Sequence, residues 1–363
     1  MTAIDRLSDD PGMSTAQSAA DPLVELFADS PRHFAGSPLY ARLGQVVAAD
    51  DRLLAIARHA RSGQLPSNLL LASVHYLLLR DPAQELAAWY PSCGAGTAAG
   101  DPGPAFTAFC LRRREEIVAL MRRRLVQTNV VKRSAVLRLG MAAVASMTDE
   151  PVTLIEVGSS AGVHLRFDDY RYAIAGRTWG RASSRVVVSA EWRGEGPPPD
   201  LGPLPVIADR AGIDLNPIDA RDPDERLWLR ALIWPENTAQ ATLQDEALRA
   251  VAANPPRTYA GDAVELLPEV VAGVPRGTPV VIFHSATRLH VPAERREAFD
   301  AAIAGAGREH DLFHLSFEAS RDLGTQGFAL ELRRGGEPGR RLAIGHGHAE
   351  WISDSGEARP DVS

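Results

Sequence analysis

Residues 152–164 read Val152-Thr153-Leu154-Ile155-Glu156-Val157-Gly158-Ser159-Ser160-Ala161-Gly162-Val163-His164. An apolar run closes on an acid, two glycines follow, and an apolar segment resumes. This is the pattern of a buried parallel strand turning tightly into a helix. Glycine tolerates positive φ and lets a ligand approach the backbone, and N–H groups at such a turn face outward. The stretch therefore points to a nucleotide-like cofactor held at the end of a strand. The plainer alternative is an ordinary strand-to-helix turn, in which Gly158 makes the bend and Gly162 lets helix and strand pack.

Composition prunes the chemistry. The chain has 363 residues, 45% of them hydrophobic, enough for roughly two domains with a sizeable core. A formal charge of −7 argues against a dedicated nucleic-acid binder. Two cysteines, Cys93 and Cys110, make neither a disulfide framework nor a cysteine-rich metal site. Lys132 is the only lysine and has no glycine near it, which removes a phosphate-binding Walker loop and disfavours pyridoxal phosphate. The first residues lack the basic and apolar regions of a signal peptide, and Leu69–Leu79 is too short to span a bilayer. A cytoplasmic protein acting on a small molecule, without a membrane or nucleic-acid partner, is the expectation; the oligomeric state stays open.

Residues 1–20 and 353–363 read as disordered tails, 21–147 as a helical N-terminal domain and 148–352 as a Rossmann-like domain. Helices are expected over Asn68–Arg80, Ala105–Thr128 and Ser134–Met147. Beyond residue 150 strands and helices alternate: strand Thr153–Val157, helix Ala161–Asp168, a hairpin near Arg171–Trp179, a strand Val186–Ala190, and the apolar strands Pro279–Phe283 and Leu312–Glu318. Phe328–Arg333 and Arg340–Gly345 read as a closing antiparallel pair. The fold class is α/β: a mostly parallel sheet with helices on both faces.

Ligands of such sheets bind beyond the carboxyl ends of the strands. The positions of interest are then Glu156–Gly162, Asp214–Asp219, Asp262, His284–Thr287 and Glu318. Glu156 can accept from an ammonium or hydroxyl; Asp214 can accept two ribose hydroxyls or shape a turn. Asp262 is either a ligand for an adenine amino group or a helix N-cap. His284 is either a satisfied interior histidine or a general base. His346 and His348 lack a third ligand, so no metal is expected.

The Glu156-x-Gly158-x-x-x-Gly162 turn and the post-strand acids resemble a class I S-adenosylmethionine-dependent methyltransferase. The resemblance implies that Glu156, Gly158, Ser159, Ser160 and Gly162 cradle the methionine part of the cofactor, that Asp214 meets the ribose and that Asp262 meets adenine. Two departures accompany it. Ser160 replaces the usual middle glycine, and a long gap before Asp214 implies an insertion that leaves Glu191 as a rival for the ribose.

Over nearly the whole chain, Ser37-Pro38-Leu39-Tyr40, Gln127-Thr128-Asn129, the Glu156–Gly162 turn, Arg210-Ala211-Gly212-Ile213-Asp214-Leu215-Asn216-Pro217 and Trp234-Pro235-Glu236 are similar to a bacterial family of unknown function, DUF2332. The chain departs from that pattern at Val130, where Glu is expected, and at His164, where Asn is expected.

The expected function is an S-adenosylmethionine-binding, methyltransferase-like enzyme. Substrate contacts would come from Arg124, Gln127, Asn129, Arg210, Asn216 and Trp234. His284 would be the base and Glu236 its reserve. Two alternatives keep the fold: other chemistry of hydrolase or lyase type, and a non-catalytic binding or regulatory protein.

Overall fold

The two most apolar runs after residue 150 become the middle of a sheet. β1 (Val152–Val157) and β7 (Val280–Ser285) are buried along their whole lengths and pair in parallel. The computed structural model describes residues 21–94, 98–324 and 327–354. Most of both expected tails lies outside these residues.

The other strands are β2 (Arg171–Ile174), β3 (Arg177–Gly180), β4 (Val187–Trp192), β5 (Ile207–Asp214), β6 (Arg257–Ala260), β8 (Leu312–Ala319), β9 (Gly327–Arg334), β10 (Arg340–His346) and β11 (Trp351–Ser353). They form one eleven-stranded sheet in the order β3-β2-β4-β11-β10-β9-β8-β7-β1-β5-β6. The block β6-β5-β1-β7-β8 is parallel throughout. Antiparallel pairing enters at β8-β9-β10-β11 and at the β2-β3 hairpin. The chain is thus mixed α/β with a mostly parallel sheet. Chain order reverses at β1, which has β5 on one side and β7 on the other. An open parallel sheet offers its ligand crevice at such a point, outside the carboxyl ends.

Two expected helices change form. Ala161–Asp168 is a short 3-10 segment, His164–Asp169, with Arg166 outside helical geometry. Side chains capture the carbonyls an α-helix would use: Tyr170 donates to Val163 O, Tyr172 to Phe167 O and Arg210 to Leu165 O. The helix expected over Ala105–Thr128 is two, Gly103–Arg112 and Arg114–Arg123, broken at Arg113. The break lets Phe106 and Phe109 on one side, and Ile117 and Met121 on the other, enter the same core. β11 takes Ser353 into the sheet, where a tail was expected to begin.

Three apolar clusters hold the molecule. The first joins the helices of residues 21–123 and includes Trp228 and Ala231 from the helix Pro223–Ala231. The second lies on one sheet face, under the helices Ser134–Ala145 and Thr238–Ala253. The third lies on the opposite face under Ala263–Ala272 and Arg296–Gly305, over β5, β1 and β7. Among the described residues no helix is long and apolar enough to cross a membrane.

His75, on the helix Pro66–Arg80, is buried in the first cluster, its Nδ1 against Ala231 O at 3.0 Å and its Nε2 against Ser92 Oγ at 2.7 Å. Burial pushes its pKa down to about 4. The folded state therefore refuses a proton that the unfolded chain takes near pH 6.5. Its contribution is complete above that pH and falls by about 1.4 kcal/mol per unit down to pH ~4. Urea unfolding from pH 7 to 4.5 should show this loss, and His75→Gln should reduce it by roughly 2 kcal/mol. Equal acid sensitivity in the two proteins would refute the assignment.

Candidate functional site

The turn after β1 keeps the glycine geometry read from its sequence. Gly158 and Gly162 have φ of +77° and +74°, and Ser160 also sits at +48°. A side chain on Gly158 would meet Thr287 Oγ1 at 2.4 Å, and one on Gly162 would meet Pro256 Cγ at 2.9 Å. The two glycines make room for protein atoms. The turn's N–H groups are also used internally. Gly158 and Ser159 donate to Ile213 O, Ser160 to the Asp214 carboxylate at 2.8 Å, Ala161 to Asn129 Oδ1, and Gly162 to Ser159 O. No α-helix follows, so the turn lacks the helix N-terminus that would favour an anion.

Five of the expected residues converge at the carboxyl ends of β1 and β5. Asn129 donates to Ser160 Oγ at 2.6 Å. Asp214 Oδ1 accepts from Asn216 N at 2.8 Å, and Gln127 and Asn216 exchange hydrogen bonds of 2.8 and 3.0 Å. Gln127 Nε2 also reaches Asp214 Oδ1 at 3.5 Å. Three motifs widely separated in sequence thus form one polar cluster. A pocket of about 360 Å³ opens beside it, lined by Arg124, Gln127, Asn216, Ile218, Asp222 and Trp228 among others. Arg124 is buried there, paired with Asp224 and Glu225, with its guanidinium 5.6 Å from the Trp228 ring centre. Leu215, next to Asp214, is 78% exposed; it lies within the expected Asp214–Asp219 segment but was assigned no role there, although an apolar residue between Asp214 and Asn216 was the available signal.

Glu156 faces a buried partner. Its Oε1 lies 2.7 Å from His164 Nδ1, and His164 Nε2 lies 3.0 Å from Val130 O. The two positions that depart from the family pattern, Val130 and His164, therefore meet. Burial pushes the Glu156 carboxyl up, against the pull of His164. Its Oε2 and the nearby Ser159 Oγ are buried without a hydrogen-bond partner.

His284 leaves this neighbourhood. It is the register partner of Val157, so its side chain projects to the face opposite Glu156. There Nδ1 lies 2.7 Å from Glu318 Oε1, and Nε2 lies 2.9 Å from His314 Nε2. The Glu318 carboxylate also accepts from Thr287 N and Arg288 N. Burial alone would raise its pKa; the His284 contact and these N–H groups outweigh burial and hold it low. His314 escaped the sequence reading, although the alternation Leu312-Phe313-His314-Leu315-Ser316-Phe317-Glu318 marks a strand with one polar face.

The remaining candidates have structural partners. Arg210 forks onto Asp168 at 2.8 Å. Glu236 accepts from Ser37 Oγ at 2.7 Å and Leu39 N at 3.0 Å, which anchors the helix Pro38–Ala48. Trp234 covers Gly36 and meets Phe34 edge-on. The Ser37–Tyr40 and Trp234–Glu236 motifs thus form a clasp, and among the described residues Glu236 is not a hydrogen-bond partner of His284. Asp262 caps the helix Ala263–Ala272 through Val264 N and lies 3.3 Å from Arg295. Glu191, the rival for Asp214, lies on β4, with five strands between it and β1. Buried Arg133 was also missed; it donates to Gly347 O at 2.7 Å, and burial pushes its pKa down to about 10.

Residues 24–354 match a family model described as "Uncharacterized protein conserved in bacteria (DUF2332)". No curated protein matches the chain.

Proposed function

The chain belongs to the DUF2332 family, and from that premise and the geometry we propose an S-adenosylmethionine-binding, methyltransferase-like enzyme acting on a small molecule. The order β6-β5-β1-β7-β8 supports it, being that of a doubly wound nucleotide-binding sheet, whose two halves meet with their crevice between β1 and β7. The observation that carries the reading is the pair Asp214 and Leu215 at the end of β5. A half-exposed carboxylate, with acceptor capacity beyond Ser160 N and Asn216 N, suits ribose hydroxyls. The exposed Leu215 suits the apolar face of a base. The adjoining pocket, with Arg124, Gln127 and Asn216, suits the polar remainder of a ligand.

The fit is with the nucleoside half of the cofactor. The methionine half finds no unused N–H in the turn, and on Glu156 only the buried Oε2 is uncommitted, Oε1 being held by His164. Asp214 is thus the residue to hold the group, with Gln127 and Asn216 positioning its carboxylate. When bound, the cofactor supplies an electrophilic methyl group.

A ligand at 100 times its Kd stabilises the folded state by about 2.7 kcal/mol. A rise in Tm with millimolar S-adenosylmethionine or S-adenosylhomocysteine is therefore expected. Asp214→Asn, which keeps one acceptor oxygen, should weaken binding at least tenfold (about 1.4 kcal/mol). Absence of any shift with either compound would overturn the reading.

A further inference from the structure

The face of β8 and β9 beside the helix Arg296–Gly305 is polar and open. His314 pairs across strands with Arg333, Ser316 with Glu331, and Glu318 with Ala329, so these side chains share one face. They line a cleft of about 530 Å³, together with His284 from β7 and Asp300 and Ile303 from the helix. The cleft is separate from the Asp214 cluster, and its chemistry does not depend on the cofactor.

The hydrogen bonds in the cleft determine where protons sit. Glu318 Oε1 accepts from the backbone N–H groups of Thr287 and Arg288, so the carboxylate is an acceptor and His284 Nδ1 carries the hydrogen between them. His284 Nε2 and His314 Nε2, 2.9 Å apart, share one hydrogen. His284 therefore has both nitrogens engaged. His314 has one left, Nδ1, with no partner among the described residues.

We propose that this cleft is an acid–base site for a small amine. Its working nitrogen is His314 Nδ1, and His284 and Glu318 are its positioning residues. An ammonium N–H bond breaks as His314 Nδ1 takes the proton, and the electron pair stays on the amine nitrogen. The hydrogen on His314 Nε2 passes to His284 Nε2. The positive charge thereby rests on His284, against the Glu318 carboxylate. This relay overcomes the weakness of His314 as a lone base, since burial above all, with the Arg333 charge, holds its own pKa well below the usual imidazole range.

The lining selects the ligand class. Asp300, Glu318, Glu331 and Glu337 face Arg288 and Arg333, an excess of carboxylates that favours a cation. Arg288 forks onto Asp300 and Arg333 lies 3.8 Å from Glu331, so the negative excess rests on Glu318 and Glu337. An ammonium proton is also within reach of an imidazole relay. Its pKa is about 10, against roughly 16 for a water-like hydroxyl.

Two measurements on the full chain test this. Diethyl pyrocarbonate acylates an accessible, unprotonated imidazole nitrogen, and mapping by mass spectrometry should find His314 modified and His284 protected. His284→Gln keeps an acceptor for His314 Nε2–H but cannot take its proton, so acylation of His314 should slow at least tenfold. Glu318→Gln keeps the hydrogen bonds and loses the charge, so a several-fold slowing is expected, which preserves the test if His284→Gln does not fold. An unreactive His314, or equal rates in the folded variants, overturns the relay. With ¹⁵N-histidine labelling, ethanolamine should move the His314 Nδ1 resonance towards its protonated position, whereas ethylene glycol and acetate should not. No response to ethanolamine, or a larger one to either comparator, overturns the amine assignment.

Discussion

Trp228→Ala is expected to lower the unfolding free energy by about 3–5 kcal/mol, the usual cost of truncating a buried large aromatic. Trp228 is 1% exposed and belongs to the core of the N-terminal helices, although it comes from the helix Pro223–Ala231, after β5. Its indole N–H donates to Leu125 O at 2.9 Å, and its ring meets Tyr76 edge-on at 5.9 Å. Around it, Arg124 pairs with Asp224 and Glu225, and the Tyr76 hydroxyl bonds Asp224. Truncation would leave a cavity, orphan a carbonyl and remove the surface beneath the Arg124 guanidinium. Because Arg124 and Trp228 line the pocket beside Asp214, ligand affinity should fall along with stability. Urea midpoints at an unchanged m-value check the first effect. A loss below about 1 kcal/mol would show that the site collapses without a cavity.

The scaffold was legible where hydrophobic pattern alone decides. The runs at Val152–Val157 and Val280–Ser285 have no polar alternation because both faces are covered, so their place in the middle of the sheet could be read directly. The hairpin at Arg171–Gly180 and the β9–β10 pair were legible from their turn residues. β11 was not, because three residues carry too little pattern. Nor was the 3-10 form of His164–Asp169, since it is decided by Tyr170, Tyr172 and Arg210 taking its carbonyls.

The candidate site was legible as a set of residues and not as a geometry. Gln127, Asn129, Ser160, Asp214 and Asn216 do come together. Glu156 and His284, both at strand ends, do not, because β1 and β7 register places them on opposite faces. Strand period gives the face within one strand, and only register relates two strands. Glu236 reads as a spare carboxylate until Ser37 and Leu39 arrive from some two hundred residues away.

The same limit hid the Glu156–His164 pair, whose loss carries the second large prediction. Glu156→Ala should destabilise by about 3–5 kcal/mol, the usual cost of removing one partner of a buried ionisable pair. Val130 O can only accept, so His164 Nε2 carries a hydrogen, and a second hydrogen lies between Nδ1 and Glu156 Oε1. Removing the carboxylate leaves that ring nitrogen buried without a partner, beside a Ser159 hydroxyl that already lacks one. His164→Leu produces the converse fault: neither Glu156 oxygen then has a partner, because Oε2 has none to begin with. Each single change creates an orphan that the double change removes. Glu156→Ala with His164→Leu should therefore cost less than the sum of the singles by about 1–3 kcal/mol in a double-mutant cycle. Additivity within about 0.5 kcal/mol would mean that solvent or a neighbour satisfies each group independently. A real coupling would make Glu156 a structural acid that ties the β1 turn to Val130. Ligand recognition at this edge would then rest on Asp214.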